Sequence, residues 1–272
     1  STASSIFLFG LFKFCSTLDR PWVGLLTSYP YLIVVVSMGY IRQSVSIGII
    51  MFGLNFILER KYKSYIFIVM IASLFHVTAI IFILSLLLFK EFYTKKSIIF
   101  FSLIFFYLML FSSSGSSIIN TSKFFIVNYL VSGYESDGAS IRLLMAILPS
   151  FFFLFYQKRF LLNSYENKLW FSFASMVIIM GILFAFFPSS AAIDRTLLYL
   201  IPFQLFFYSR LSYILGNKGK TDNIFIILII IYNFFILYIW LNYAKHSFAW
   251  IPYDSVLFKD LRPFIPNHHK LY

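Results

Sequence analysis

The sequence predicts an all-α protein that crosses a membrane many times, and three observations support this fold class. Of its 272 residues, 60% are hydrophobic and only 12% are charged, whereas about a quarter are charged in an ordinary soluble domain. The mean hydropathy is +0.85. The apolar residues come in runs of about 15 to 25, the length that lipid-solvated helices need. Residues 224–231 are apolar at every position, unlike the alternating strands of a membrane barrel.

With about 20 residues per crossing as the measure, the chain divides into nine apolar segments. They are 5–18, 22–38, 43–58, 65–89, 97–113, 141–157, 168–188, 196–215 and 223–242. We therefore expect a polytopic helical integral membrane protein with about 8 to 10 membrane segments. Residues 1–242 form its transmembrane domain, and residues 243–272 form an external interfacial tail.

The connectors between these segments form two sets. Lys and Arg concentrate in one set, as they do in cytoplasmic loops. This basic set comprises 59–63, Lys90 with Lys95 and Lys96, Lys158 with Arg159, and Lys218 with Lys220. The other set, which we expect outside, comprises 39–42, 112–140, 188–195 and the tail after Asn242. The net charge of +12 is therefore a topology signal, and we expect no nucleic acid as a partner.

Segment 65–89 conflicts with simple alternation, because basic connectors flank it at both ends. A single crossing would place these connectors on opposite sides of the membrane. Two interpretations stay open, namely one long tilted helix and a re-entrant or broken helix pair that turns near 75–78.

Three arginines, Arg42, Arg142 and Arg195, begin apolar segments on the expected external side. A guanidinium grips phosphate bidentately, and a helix N-terminus also favours an anion. Each arginine has a bland alternative. Arg42 can be a snorkelling interfacial cation, Arg142 can follow a solvated, capped loop, and Arg195 can pair with the neighbouring Asp194.

Other polar and aromatic side chains lie beside these arginines. The candidates for proton transfer are His76, Glu135, Asp137, Asp194 and His246. His76 can equally be a satisfied hydrogen-bond donor between helices. Tyr199, one turn from Arg195, and Trp250 can pack against a ligand, although a terminal Trp is more often an interfacial anchor.

Several reaction classes lack their sequence signals. The chain has no Walker A glycine loop, no paired-cysteine zinc site, no HExxH and no GxSxG. ATP hydrolysis, zinc proteolysis and elbow-type serine hydrolysis are therefore not indicated, and we expect no metal and no cofactor. The remaining pattern suits a lipid-linked anionic substrate at the external membrane surface, but it does not identify a reaction.

Five motifs follow one another along the chain. They are Tyr40-Ile41-Arg42-Gln43, Glu59-Arg60-Lys61, Ala72-Ser73-Leu74-Phe75-His76-Val77-Thr78-Ala79, Asp194-Arg195 through Tyr199 to Pro202, and Trp250-Ile251-Pro252-Tyr253. In this order and spacing, over about residues 5–258, the sequence resembles the EpsG-type Wzy polymerases of bacterial polysaccharide repeat units. Each motif alone is weak, and the ordered set is moderately specific. Family members carry further N-terminal helices and an acidic external loop, which this sequence does not contain.

The resemblance implies a metal-independent membrane glycosyltransferase at the external face of the bacterial inner membrane. Such an enzyme polymerises undecaprenyl-diphosphate-linked oligosaccharide repeat units in O-antigen (lipopolysaccharide), capsule or exopolysaccharide synthesis. Its partners would be this substrate, the bilayer and a chain-length regulator.

In that reaction, an acceptor hydroxyl attacks the anomeric carbon of the donor, and undecaprenyl diphosphate leaves. We expect Arg142 and Arg195 to bind the diphosphate and Arg42 to be a third ligand, while the base stays open among the five candidates. A lipid-linked oligosaccharide flippase and an O-antigen ligase are the alternatives. The absence of an evident internal repeat favours an enzyme over a flippase.

Overall fold

The computed structural model describes residues 2–88, 135–186, 189–216, 223–245 and 247–250. Every regular element among these residues is helical, which confirms the predicted fold class. The α-helices are α1 (Thr2–Cys15), α2 (Pro21–Ser28), α3 (Ile41–Leu58), α4 (Tyr62–Phe75), α5 (Ala139–Tyr156), α6 (Ser164–Phe186), α7 (Ser190–Leu197), α8 (Ile201–Ile214) and α9 (Asn223–Tyr243). A π-helix covers Tyr29–Ser37, and 3₁₀ helices cover Val77–Leu88, Gln157–Phe160, Leu198–Leu200 and Ser247–Ala249. The predicted segment 97–113 lies outside the described residues.

Four described helical stretches are long and apolar enough to cross a membrane. They are Ile41–Leu58, Ala139–Phe160, Ser164–Phe186 and Asn223–Tyr243. Three shorter apolar helices, Thr2–Cys15, Pro21–Ser37 and Tyr62–Phe75, accompany them. The last of the long helices, α9, has only 11% of its most apolar stretch buried inside the protein. Most of its apolar side chains therefore face outward, as lipid contact requires. The chain is thus a multi-pass helical membrane protein.

The helix α4 is followed by a reversal of the chain at His76, whose backbone is extended (φ −152°, ψ 114°). The 3₁₀ helix Val77–Leu88 then returns along α4. The hydroxyl of Tyr65, in the first turn of α4, donates to the carbonyl of Phe82 at 3.1 Å and lies 3.3 Å from Ser85 Oγ. Twenty residues of continuous helix would span about 30 Å. The broken, folded-back pair is therefore confirmed, and a single long helix is excluded.

Two of the basic connectors, 59–61 and 157–163, lie at one end of the bundle, here called the basic end. Arg60 stacks over the ring of Tyr165 at 3.8 Å, which joins the two connectors. At the same end Arg210 donates to Asp19 and, at 2.8 Å, to the carbonyl of Phe160. The predicted basic residues Lys90, Lys95, Lys96, Lys218 and Lys220 lie outside the described residues.

The other connectors meet at the opposite end, here called the site end. It comprises residues 39–43, 76, 135–142, 189–199, 244–245 and 247–250. The backbone amide of Ser136 donates to Ser190 Oγ at 2.8 Å, and Lys245 lies 3.7 Å from Asp137. The predicted division of connectors into two sets therefore matches the two ends of the described helices.

One predicted connector is wrong in part, because residues 190–195 are helical. Ser189 is extended, and its hydroxyl accepts from the backbone amide of Ala192 at 3.4 Å, which caps the N-terminus of α7. Asp194 and Arg195 therefore lie within a helix and not in a connecting loop.

The helices α1 and α3 approach so closely that glycine is required at their crossing. A Cβ on Gly48 would lie 2.6 Å from the Cα of Phe7, and a Cβ on Gly10 would overlap the carbonyl of Gly48. Small residues of this kind let membrane helices pack backbone against backbone. This contact anchors α3, which carries Arg42 and Gln43 at its start.

Candidate functional site

Arg142, in the first turn of α5, forms an ion pair with Asp194 of α7. Its Nε lies 2.5 Å from Oδ1, and its Nη2 lies 2.7 Å from Oδ2. The two side chains are 17% and 9% exposed. A bidentate and largely buried pair fixes the plane of the guanidinium. The sequence pointed to the neighbouring Arg195 as the partner of Asp194, whereas this bidentate partner comes from another helix.

Two residues that the sequence did not single out complete this pair. Ser136 Oγ donates to Asp194 Oδ2 at 2.8 Å and accepts from Arg142 Nη2 at 2.9 Å. The guanidinium carbon of Arg142 lies 5.4 Å from the centre of the Tyr31 ring. A lone serine in a loop and a tyrosine among apolar residues carry no pattern, so no sequence signal could have identified them.

The start of α3 and the last turn of α7 are joined by Gln43, which is 3% exposed. Its Nε2 donates to the backbone carbonyl of Arg195 at 2.7 Å. The side chains of Arg42 and Arg195 on either side of this bond are both exposed. Arg195 was expected to begin an apolar helix, but it lies near the end of α7, directly after the Asp194 that binds Arg142. The two contacts thus bring the three arginines together, and we call them the cationic cluster.

His76 lies at the turn of the folded-back pair, next to this cluster. The imidazole is half-buried, and its Nδ1 lies 2.7 Å from Thr78 Oγ1. Arg195 is close enough for its charge to act on the imidazole. The ring of Tyr199 lies 6.1 Å from the imidazole, centre to centre. A titratable ring therefore stands beside a guanidinium at the site end.

Tyr199, which the sequence offers as a residue that packs against a ligand, is fully buried. Its hydroxyl donates to Ser46 Oγ at 3.0 Å, and Ser46 donates to the carbonyl of Ala72 at 2.9 Å. Tyr199 therefore ties α3 to the end of α4, directly before His76.

The remaining predicted site residues have separate surroundings. Glu135 is exposed, and Asp137 is 65% exposed near Lys245. His246 lies outside the described residues.

Trp250 is fixed against the protein at the site end. Its indole Nε1 donates to the carbonyl of Val34 at 2.9 Å, and its ring meets Trp240 edge-on at 4.9 Å. A Cβ on Gly39 would come within 2.9 Å of this indole. Trp250 therefore holds residues 247–250 over the turn that precedes α3.

A cleft extends from the Arg142–Asp194 pair along α8 to Gln204. The ten residues between Asp194 and Gln204 correspond to about 15 Å of helix. Two of the atoms that line the cleft, Thr27 Oγ1 and Asn233 Oδ1, are buried and have no hydrogen-bond partner among the described residues. The cleft is therefore lined by polar atoms in addition to the Arg142–Asp194 pair.

Within the described residues, no group of three or more His, Cys, Asp or Glu side chains is arranged to hold a metal ion. The side chains that gather at the site end are instead cationic and hydrogen-bonding, and they suit an anion.

Comparison with known protein families gives a match to the EpsG family over residues 1–255. No curated protein and no solved structure matches the chain. The match includes all five motifs on which the resemblance rests and every described residue of the site end. The chain therefore belongs to the EpsG family of membrane proteins, which indicates a role in polysaccharide biosynthesis.

Proposed function

We propose that this protein is a glycosyltransferase that polymerises undecaprenyl-diphosphate-linked oligosaccharide repeat units at the external face of the bacterial inner membrane. One observation carries the proposal. Arg42 and Arg142 lie in the first turns of two helices and Arg195 lies in the last turn of a third, and the Gln43–Arg195 and Arg142–Asp194 contacts bring these three positions together. A diphosphate leaving group needs such preorganised cations when no metal supplies the charge.

We assign the diphosphate to Arg195 and Arg142, with Arg42 as a third ligand. Arg42 and Arg195 have exposed side chains that a phosphate can reach. Arg142 uses Nε and Nη2 to bind Asp194, which leaves Nη1 for a phosphate oxygen. Asp194 is thus a residue that orients Arg142, and its carboxylate is not free to act as a base.

We assign the base to His76. It stands beside the cationic cluster, and its ordinary titration range allows it to accept a proton near neutral pH. Glu135 and Asp137 are exposed in the loop before α5 and face solvent. Burial, and after it the charge of Arg195, lowers the pKa of His76 and so favours the neutral imidazole, the form that a base requires.

The reaction then balances as a single displacement. The acceptor hydroxyl of one lipid-linked unit attacks the anomeric carbon of the donor and gives its proton to His76. A glycosidic bond forms while the bond between the anomeric carbon and the diphosphate oxygen breaks. The arginines stabilise the charge that develops on the departing undecaprenyl diphosphate.

The test is a polymerisation assay with purified protein in proteoliposomes and a defined lipid-linked repeat unit. Arg195→Ala is expected to lower the rate about 100-fold, the effect typical of removing one transition-state charge stabiliser. The matched control is Arg159→Ala, since Arg159 lies at the basic end over Tyr156 and should leave the rate unchanged. An Arg195→Ala protein that polymerises at the wild-type rate would overturn the assignment.

A deletion strain separates the polymerase from the ligase, and the purified protein separates it from the flippase. A polymerase predicts that long chains disappear while single repeat units are still attached to the lipid core. A ligase predicts that attachment is lost completely. A flippase predicts no joining of repeat units by the purified protein, whether in vesicles or in detergent.

A further inference from the structure

The helix α3 ends, at the basic end, in a hydrogen-bond pattern that usually carries a glycine. The backbone amide of Lys61 donates to the carbonyl of Phe56 at 2.7 Å, and the amide of Arg60 donates to the carbonyl of Ile57 at 2.9 Å. These two bonds form a Schellman motif, in which the residue at the position of Arg60 is left-handed. Arg60 accordingly has φ 60°. Glycine adopts this conformation without strain, whereas a residue with a Cβ does not. An arginine thus occupies a position that the local backbone would give to glycine.

The side chain of Arg60 lies over the ring of Tyr165, in the first turn of α6. The guanidinium carbon is 3.8 Å from the ring centre, and the ammonium of Lys168, one turn further along α6, is 5.7 Å from the same centre. Both distances are within the range of cation–π attraction. The ring attracts each cation, but the two cations repel each other. One aromatic ring therefore holds two like charges, and an anion bound between them would stabilise both.

Within the described part of the chain, no carboxylate forms an ion pair with Arg60 or Lys168. Two glutamates are near them in the sequence, and each has another partner. Glu59 binds Lys61 at 2.7 Å, and Glu166 accepts from a backbone amide at the start of α6 at 3.3 Å. The two cations on the ring are therefore not neutralised by their neighbouring acidic residues.

These cations lie at the ends of membrane helices, at the depth of the lipid headgroups. The stretches Ile41–Leu58 and Ala139–Phe160, both long enough to cross a membrane, end at the two connectors that carry this site. Residues 59–63 and 157–168 contain six Lys and Arg residues but only two Glu. In the second connector Leu161 is 73% exposed, so apolar surface accompanies the positive charge. A cationic site at this depth is complementary to a negatively charged lipid headgroup.

We propose that Arg60 and Lys168, held on the ring of Tyr165, bind the phosphate of an anionic phospholipid in the leaflet at the basic end. A phosphate can accept hydrogen bonds from the guanidinium and the ammonium together. Basic pockets between membrane helices bind lipid headgroups by the same attraction. A lipid is favoured over free phosphate because the adjoining leaflet already holds its phosphates at this depth. The site lies at the opposite end from the cationic cluster, so it does not depend on the proposed function.

Native mass spectrometry of the full chain in detergent tests this site. Phosphatidylglycerol, which is anionic, and phosphatidylcholine, which is zwitterionic, are added separately to delipidated protein, and the dissociation constant of the first bound lipid is measured. We expect phosphatidylglycerol to bind about tenfold more tightly. Equal affinity for the two lipids would overturn the proposal. A large excess of inorganic phosphate should not displace the lipid. Displacement by phosphate would show a general anion site and would overturn the assignment to a lipid.

Two variants and one control locate the binding. Arg60→Gly and Lys168→Gln should each weaken phosphatidylglycerol binding about fivefold, the contribution of one cation near a membrane surface. Because glycine suits the backbone at position 60, Arg60→Gly should melt at a temperature close to that of the wild type. Lys168→Gln tests the site without any change at that turn.

The charge-matched control is Lys63→Ala. Lys63 is exposed at the start of α4 and is not one of the two cations on the ring, so its loss should leave the affinity unchanged. An equal loss of affinity in Lys63→Ala would show that only the total charge matters and would overturn the site. Wild-type affinity in both Arg60→Gly and Lys168→Gln would overturn it as well.

Discussion

Arg142 and Asp194 lie 52 residues apart in the sequence, yet the guanidinium donates to both oxygens of the carboxylate, with Nε 2.5 Å from Oδ1. The pair links the first turn of α5 to α7, and Ser136 bonds both partners. One carboxylate therefore joins the first turn of α5, the helix α7 and one loop at the site end.

Removal of one member of the Arg142–Asp194 pair should destabilise the protein more than removal of both. Asp194→Ala leaves the Arg142 charge largely buried without its partner and should destabilise the protein by about 3 kcal/mol. An Arg142→Met and Asp194→Leu double variant should recover part of that loss, since no charge is then stranded. Thermal unfolding in detergent measures both. A double variant as unstable as the sum of the single variants would contradict this account.

The crossing of α1 and α3 predicts a sharp difference between two glycines of α3. In Gly48→Ala the new Cβ would meet backbone atoms of Phe7, which cannot move aside, so we expect a loss of about 1–3 kcal/mol from overpacking. In Gly53→Ala the nearest atom is Cγ2 of Ile68, which belongs to a side chain and not to the backbone, but whose χ1 angle is restricted in a helix. The melting temperature should therefore fall for both variants, and it should fall further for Gly48→Ala.

At the basic end, we expect a substitution of Arg210 to lower the stability of the protein without affecting polymerisation. Arg210→Ala removes the contacts to Asp19 and to the carbonyl of Phe160, and hydrogen bonds of a charged group are worth about 2 kcal/mol together. Lys61→Ala is the control, because its ion pair with Glu59 is exposed at both side chains and such pairs contribute about 0–1 kcal/mol. Loss of polymerisation in a folded Arg210→Ala protein would contradict the separation of the two ends.

Asn233 offers a stabilising substitution in the cleft. Its Oδ1 is buried and has no hydrogen-bond partner in the described part of the chain, while Nδ2 donates to the carbonyl of Ile229. Asn233→Leu removes an unsatisfied acceptor, so we expect a gain of about 1 kcal/mol in thermal unfolding. Asn242→Leu on the same helix is the control, since Asn242 makes the same contact to Tyr238 but is exposed. A lower melting temperature for Asn233→Leu alone would show that Oδ1 has a stabilising role.

The predictable part of this fold is the part that depends on local composition. Long apolar runs give membrane helices, and the basic residues mark one set of connectors, because the free energy of each segment depends on its own side chains. Segments 43–58, 141–157, 168–188 and 223–242 each correspond to a described helix of similar extent. The family motifs around Arg42, His76 and Arg195 likewise pointed to residues that gather at the site end.

The sequence by itself determined the helical membrane architecture, the two sets of connectors, and Arg42 and Arg142 at helix starts. Only the tertiary structure decided that Asp194 binds Arg142, that Gln43 joins Arg195, and that the chain folds back at His76 through the contacts of Tyr65. Such partners depend on how the helices are rotated and how deeply they cross. Hydropathy gives the length of a helix in the membrane, but side-chain packing and hydrogen bonds between helices fix its neighbours.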